Sequence, residues 1–224
     1  MLYIIQNDAE VPPGNLPGNL TVPYVICHPY RGESLPAIAA ISALIVLGGA
    51  MGANDDLKYP FLTDLKQLIR DVVTAEVPYL GICLGGQLLA ATLGATVESC
   101  RWEEVGTLPV LLTDAGCGDP LFGGIVQEFQ TFQWHHDSFD IPAGGILLAS
   151  SPACPNQAFR VGCSAWGLQF HPEVTGNIIR DWCAWDRATA DKTAEYLAAF
   201  SGAADTYCTT ARQLLCNFIQ TAYR

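Results

Sequence analysis

A single cysteine stands between glycines in Gly81-Ile82-Cys83-Leu84-Gly85, after the apolar run VPYLGI (77–82) and before the Ala/Leu-rich run LGGQLLAATLGA (84–95). The first run reads as a buried strand and the second as a helix, with glycines that permit a sharp turn between them. The pattern is GxCxG, a nucleophile elbow with cysteine in the serine position. At such a corner the sulfur meets the positive end of the helix dipole, where negative charge is stabilised. The backbone N–H of Leu84 is free to bond an oxyanion. A buried cysteine in a tight turn would satisfy the same pattern, so the elbow alone leaves both readings open.

A nucleophile of this kind needs a base, and the chain has four histidines, His28, His135, His136 and His171. In WGLQFHPEV (166–174) His171 follows a strand-like run, and Pro172 biases it to an extended conformation. Residues i and i+2 of an extended chain point the same way, so Glu173 can reach the imidazole and hold its tautomer. Cys83, His171 and Glu173 thus form a nucleophile, base and orienter set. WHHD (134–137) is the closest other grouping of ligand-type side chains, and with no CxxC pair it gives a zinc site little support. His28 receives no role.

The elements that must position these residues are legible as alternating runs. Strands are expected at LYIIQ, VPYVIC, ALIVLGG, VPYLGIC, VGTLPVLL, GILLAS and WGLQF. Between two of them, PFLTDLKQLIRDVVTAE carries Leu62, Leu65, Leu68, Ile69 and Val72 at helical spacing. Strand, helix, strand, helix from about residue 43 to 94 predicts an α/β fold with a central, mainly parallel sheet flanked by helices. Strands dominate onward to about residue 170. A helical tail follows over about 187–224, broken near Ser201-Gly202, with Leu214, Leu215, Phe218 and Ile219 on one face. That face predicts a tail that completes the core, with an oligomer contact as the alternative. The proline-rich AEVPPGNLPGNLT (9–21) predicts an irregular loop, because proline inside a helix costs about 3 kcal/mol.

The 224 residues are 50% apolar and 15% charged, enough to bury a sizeable core, and one compact domain over 1–224 is expected. A net charge of −11 with no basic cluster argues against a nucleic-acid partner. MLYIIQNDAE lacks a basic n-region, and the longest apolar tract, LPAIAAISALIVLGGAMG, is interrupted by Ser42, so neither a secretory signal nor a membrane span is expected. The nine scattered cysteines read as free thiols of a cytoplasmic protein, with Cys27, Cys100 and Cys216 as small core residues. Trp166, Trp182 and Trp185 read as packing aromatics.

GICLGGQLLA followed by QFHPE resembles the class I glutamine amidotransferases, over about residues 44–177. The resemblance implies a flavodoxin-like amidotransferase domain with Cys83 as the nucleophile that forms a γ-glutamyl thioester, His171 as general acid/base and Glu173 as its orienter. GGAMG matches the family's glycine-rich loop, making Gly49 or Ala50 the partner of Leu84 in an oxyanion hole. Gln87 matches a substrate-binding residue. QWHHDSFDIP is similar to a loop containing His-Gly-Asp, with His136 in place of glycine, which makes His135 and Asp137 candidates for the substrate pocket. No cofactor or metal is implied. The resemblance leaves three readings: a glutaminase that passes ammonia to an unidentified acceptor or a separate synthetase subunit, a γ-glutamyl peptidase, and a non-catalytic binding protein. No synthetase domain and no phosphate-binding loop is expected within these residues.

Overall fold

The computed structural model describes residues 1–223. In chain order the elements are β1 (Leu2–Ile5), α1 (Leu16–Asn19), β2 (Tyr24–Cys27), β3 (Ala43–Val46), α2 (Phe61–Thr74), β4 (Tyr79–Ile82), α3 (Leu84–Thr92), β5 (Val97–Glu98), β6 (Glu104–Leu112) and α4 (Asp114–Cys117). They continue with β7 (Glu128–His135), β8 (Ser138–Phe139), β9 (Ile146–Ser150), β10 (Ala158–Val161), β11 (Ala165–Leu168), α5 (Gly176–Trp185) and α6 (Thr193–Ala222).

Nine of these strands form one sheet in the order β2-β1-β3-β4-β11-β10-β9-β6-β7, and β5 pairs with β8 apart from it. The half from β2 to β11 is parallel; the half from β11 to β7 is antiparallel. Parallel strands covered on both faces must be apolar on both, and β3, β4 and β11 are buried at every position. Alternate residues face opposite layers. Ile5, Leu44, Val46 and Tyr79 pack with Leu62, Leu65, Ile69 and Val72 of α2 and with Leu84, Leu88 and Leu89 of α3. Leu2, Ile4, Ile45, Leu80 and Ile82 pack with Leu214, Leu215, Phe218 and Ile219 of α6. The tail therefore completes the core.

Several expectations need correction. The tail is one helix of 30 residues with no break at Ser201-Gly202. Gly202 faces open space, and its cost of about 1 kcal/mol in a helix is outweighed by the burial of Phe200 and Tyr207 on either side. The proline-rich segment contains the short helix α1 as well as loop. EFQTFQWH forms the eight-residue strand β7, so His135 ends a strand and does not belong to a loop. Of the cysteines read as core, Cys27 is buried, Cys216 is half-buried and Cys100 is exposed; all nine are free. Trp166 and Trp182 are buried, but Trp185 is 56% exposed. Among the described residues no helix is long and apolar enough to cross a membrane.

Candidate active site

Neighbouring parallel strands end side by side, and the carboxyl edge of β1, β3, β4 and β11 collects the chemistry-bearing residues. β4 runs into Cys83, and β11, paired with it up to Ile82 and Leu168, runs through Gln169 and Phe170 to His171. β3 runs into Gly48, Gly49 and Ala50, and β1 into Gln6, Asn7 and Asp8.

Cys83 has φ 50° and ψ −107°, a conformation that costs a non-glycine residue roughly 1–3 kcal/mol. Its N–H donates to Leu168 O at 2.8 Å, tying the corner to β11. The turn closes because residue 85 is glycine: a Cβ there would stand 2.1 Å from Val46 O. The strained corner lifts the sulfur off the end of β4 into a cavity shared with His171.

His171 Nδ1 lies 2.6 Å from Glu173 Oε1, and both side chains are buried. Burial pulls the imidazole down, but the Glu173 carboxylate and then the Cys83 sulfur outweigh it and push His171 up to about 10. The structure therefore brings Cys83, His171 and Glu173 together as one group. The backbone of the His-Pro-Glu segment is held from three sides. His171 N–H donates to Phe132 O of β7 at 2.8 Å, and Asn15 N–H donates to Glu173 O at 2.9 Å. Tyr207 of α6 donates its hydroxyl between His171 O and Val174 O at 3.0 and 3.1 Å. Gly14, at φ +53°, lets the proline-rich segment approach so closely that a Cβ would sit 1.9 Å from Glu173 O. Tyr207 and this segment are the positioning elements that sequence reasoning missed. Three prolines and two glycines in thirteen residues were the only signal of the second, and Tyr207 offered none.

Of the two glycine-loop candidates, the Ala50 N–H donates to Asp8 Oδ2 at 3.2 Å. Gly49 N–H and Leu84 N–H have no protein acceptor among the described residues. A Cβ on Gly49 would stand 2.8 Å from Leu84 Cδ2, which puts the two residues side by side.

Gln87 and His135 do not project as free ligands. Gln87 Nε2 donates to Asp137 O, and His135 Nδ1 contacts the same carbonyl, each at 3.2 Å. Asp137 accepts from Ser99 Oγ at 2.5 Å and borders a cleft of about 380 Å³ that reaches Cys83. His136 also borders this cleft, about half exposed, and pairs with Glu103 at 3.2 Å. The WHHD pair is thus split by strand geometry and cannot chelate one ion. His135 instead clusters with Glu104 and Cys154, their ligand-type atoms within 4.8 Å. Glu104 already accepts from Ser151 Oγ at 2.7 Å and from Gln157 Nε2, and Cys154 Sγ lies 3.2 Å from Ser138 Oγ. Burial pushes the Cys154 thiol up, which disfavours the thiolate a metal would need. The cluster is a hydrogen-bonded network under the cleft floor. His28, the remaining histidine, follows β2, the outermost strand of the parallel half, and contacts Glu33 at 3.2 Å; it lines neither cavity at Cys83.

The chain matches the family profile "Glutamine amidotransferase class-I" over residues 24–180. It is 34% identical over 154 residues to the glutamine amidotransferase-like protein YfeJ of Salmonella typhimurium, a match covering 67% of this chain and 64% of that protein. It is 33% identical over 141 residues to a glutamine-hydrolyzing GMP synthase of Thermosipho africanus, covering 62% of this chain but 26% of the synthase. The matched region thus spans less than two thirds of either relative. A glutamine amidotransferase structure from Thermotoga maritima superposes with a TM-score of 0.89 at 28% identity, covering 100% of this chain and 98% of that one.

Proposed function

From the premise that this chain belongs to the class I glutamine amidotransferase family, we propose that it hydrolyses the side-chain amide of glutamine through a cysteinyl thioester. The observation that carries the reading is the strained Cys83 corner opening into one cavity with the buried His171–Glu173 pair.

With the Cys83 proton already held on the raised His171 ring, Cys83 attacks the amide carbon as the thiolate. The carbonyl oxygen, now negative, is met by the Gly49 and Leu84 N–H groups. On collapse the C–N bond breaks, and the nitrogen takes the proton from His171 and leaves as ammonia. Water then gives a proton to His171 and attacks the thioester, releasing glutamate and restoring the thiolate beside the protonated ring. Glu173 keeps the ring oriented and stabilises the imidazolium at each proton-holding stage. Asp137, fixed by Gln87, His135 and Ser99, offers its carboxylate to the substrate's α-ammonium group.

The ammonia goes to an acceptor. The relative named GMP synthase supports a synthetase as the consumer, here as a separate partner. No cofactor is needed, because thiolate attack and the oxyanion donors supply the activation. The test is glutamate release from glutamine by the purified protein, with a glutamine-mimicking electrophile as a probe of Cys83. Labelling at Cys83 with equal yields of glutamate and ammonia is expected. A Cys83→Ser protein that retains turnover would refute the reading.

A further inference from the structure

Two cavities meet at Cys83, and they differ in size and chemistry. The larger, about 380 Å³, runs past Gln87, His135 and Asp137. The smaller, about 60 Å³, lies on the His171 side; Val11, Trp182 and Glu10 line it alone, and Trp134 and Trp185 stand between it and the larger, lining both. His171 borders only the smaller one. In a thioester mechanism the departing nitrogen takes its proton from His171 and so must face that smaller cavity, while the acyl portion extends into the larger.

We propose that the tryptophan-walled cavity is a leaving-group subsite that holds the alkyl portion of a primary amine, so that N-alkyl γ-glutamyl amides are better substrates than glutamine. The inference rests on the reading of Cys83 as nucleophile and names the substrate class of that same site. Ammonia is too small and too polar to gain from indole walls, whereas each methylene placed against them leaves water. The walls are preformed. Trp182 is pinned by its indole N–H, which donates to Glu10 O at 2.6 Å, and it meets the His171 ring edge-on at 5.0 Å. Trp134 packs against Trp182 at 5.5 Å. One water needs roughly 10–15 Å³ of such space, so the cavity of about 60 Å³ suits an alkyl group of about two to four carbons. Among the described residues neither cavity is lined by Lys or Arg, and Glu10 stands at the rim of the smaller one, so an amine that carries its own carboxylate is repelled. The bonds exchanged are those of glutamine hydrolysis: C–S forms, C–N breaks, the amine nitrogen takes the His171 proton, and water releases glutamate.

The experiment compares kcat/KM for glutamine, γ-glutamylmethylamide, γ-glutamylethylamide, γ-glutamylpropylamide and γ-glutamylglycine by glutamate release. Labelling of Cys83 by a glutamine-mimicking electrophile is read in parallel. Each added methylene is expected to raise kcat/KM about fourfold. γ-Glutamylglycine should fall below glutamine, and Val11→Phe, which fills the smaller cavity and leaves the larger untouched, should remove most of the alkyl advantage. If Cys83 labels and glutamine turns over but the alkyl amides are no faster, the subsite is overturned and the nucleophile stands. An alkyl advantage that survives Val11→Phe overturns the assignment to this cavity. Absence of both labelling and turnover overturns the nucleophile, and the subsite with it.

Discussion

Glu173→Gln keeps the shape of the side chain and removes its charge from 2.6 Å beside the His171 ring. Because a hydrogen bond to a charged partner is worth about 1.5–3 kcal/mol, kcat/KM for glutamine should fall by about 10- to 150-fold. The same energy is about one to two pH units of His171 titration. In the native protein His171 is held up to about 10 from its ordinary 6.5, so the protonated ring is favoured by folding. Its contribution to stability is complete below about 6.5 and is lost as pH rises through about 10. The alkaline limb of kcat/KM should therefore lie near pH 10 in the native enzyme and about one to two units lower in Glu173→Gln. The assay is initial-rate glutamate release from pH 6 to 11, with thermal melts at each pH to separate lost activity from lost fold. An unmoved limb would refute the account of how Glu173 acts on His171, and so would a loss as complete as that of Cys83→Ser, where the thiol itself is gone.

Tyr207→Phe deletes only the hydroxyl that serves His171 O and Val174 O. It should lower kcat by about 2- to 12-fold with KM nearly unchanged, since one neutral hydrogen bond is worth about 0.5–1.5 kcal/mol; a change in KM alone would contradict a positioning role. Gly85→Ala forces a Cβ against Val46 O and should destabilise the protein by about 1–3 kcal/mol in urea unfolding, while opening the Cys83 corner enough to depress turnover. Deleting residues 203–224 uncovers the sheet face that Leu214, Leu215, Phe218 and Ile219 bury, and should give insoluble protein. A folded, active truncated monomer would show that this face needs no cover.

The grouping of Cys83, His171 and Glu173, the proposed reactive set, was readable from the sequence because each part of it is local. Glycines two residues either side of Cys83 specify the turn, and Pro172 extends the chain so that His171 and Glu173 share a side. The parallel half of the sheet was equally legible, since strands buried on both faces are unbroken apolar runs. Strand β7 is hidden in the sequence because it buries the polar Thr131, Gln133 and His135, which break the hydrophobic period; Gln133 donates to Gln157 and His135 contacts Glu104, both from other parts of the sheet. The choice between Gly49 and Ala50 likewise waited on the fold, since it turns on where Asp8 arrives from the end of another strand. Tyr207 and Asn15 brace the His-Pro-Glu backbone from elements far away in the chain, and Trp185 read as core until the structure put it at the mouth of the cavity. Residue types and short spacings supplied the chemistry; the supports and walls of the site are contacts between carbonyls and side chains that only the packed chain brings within 3 Å or so of one another.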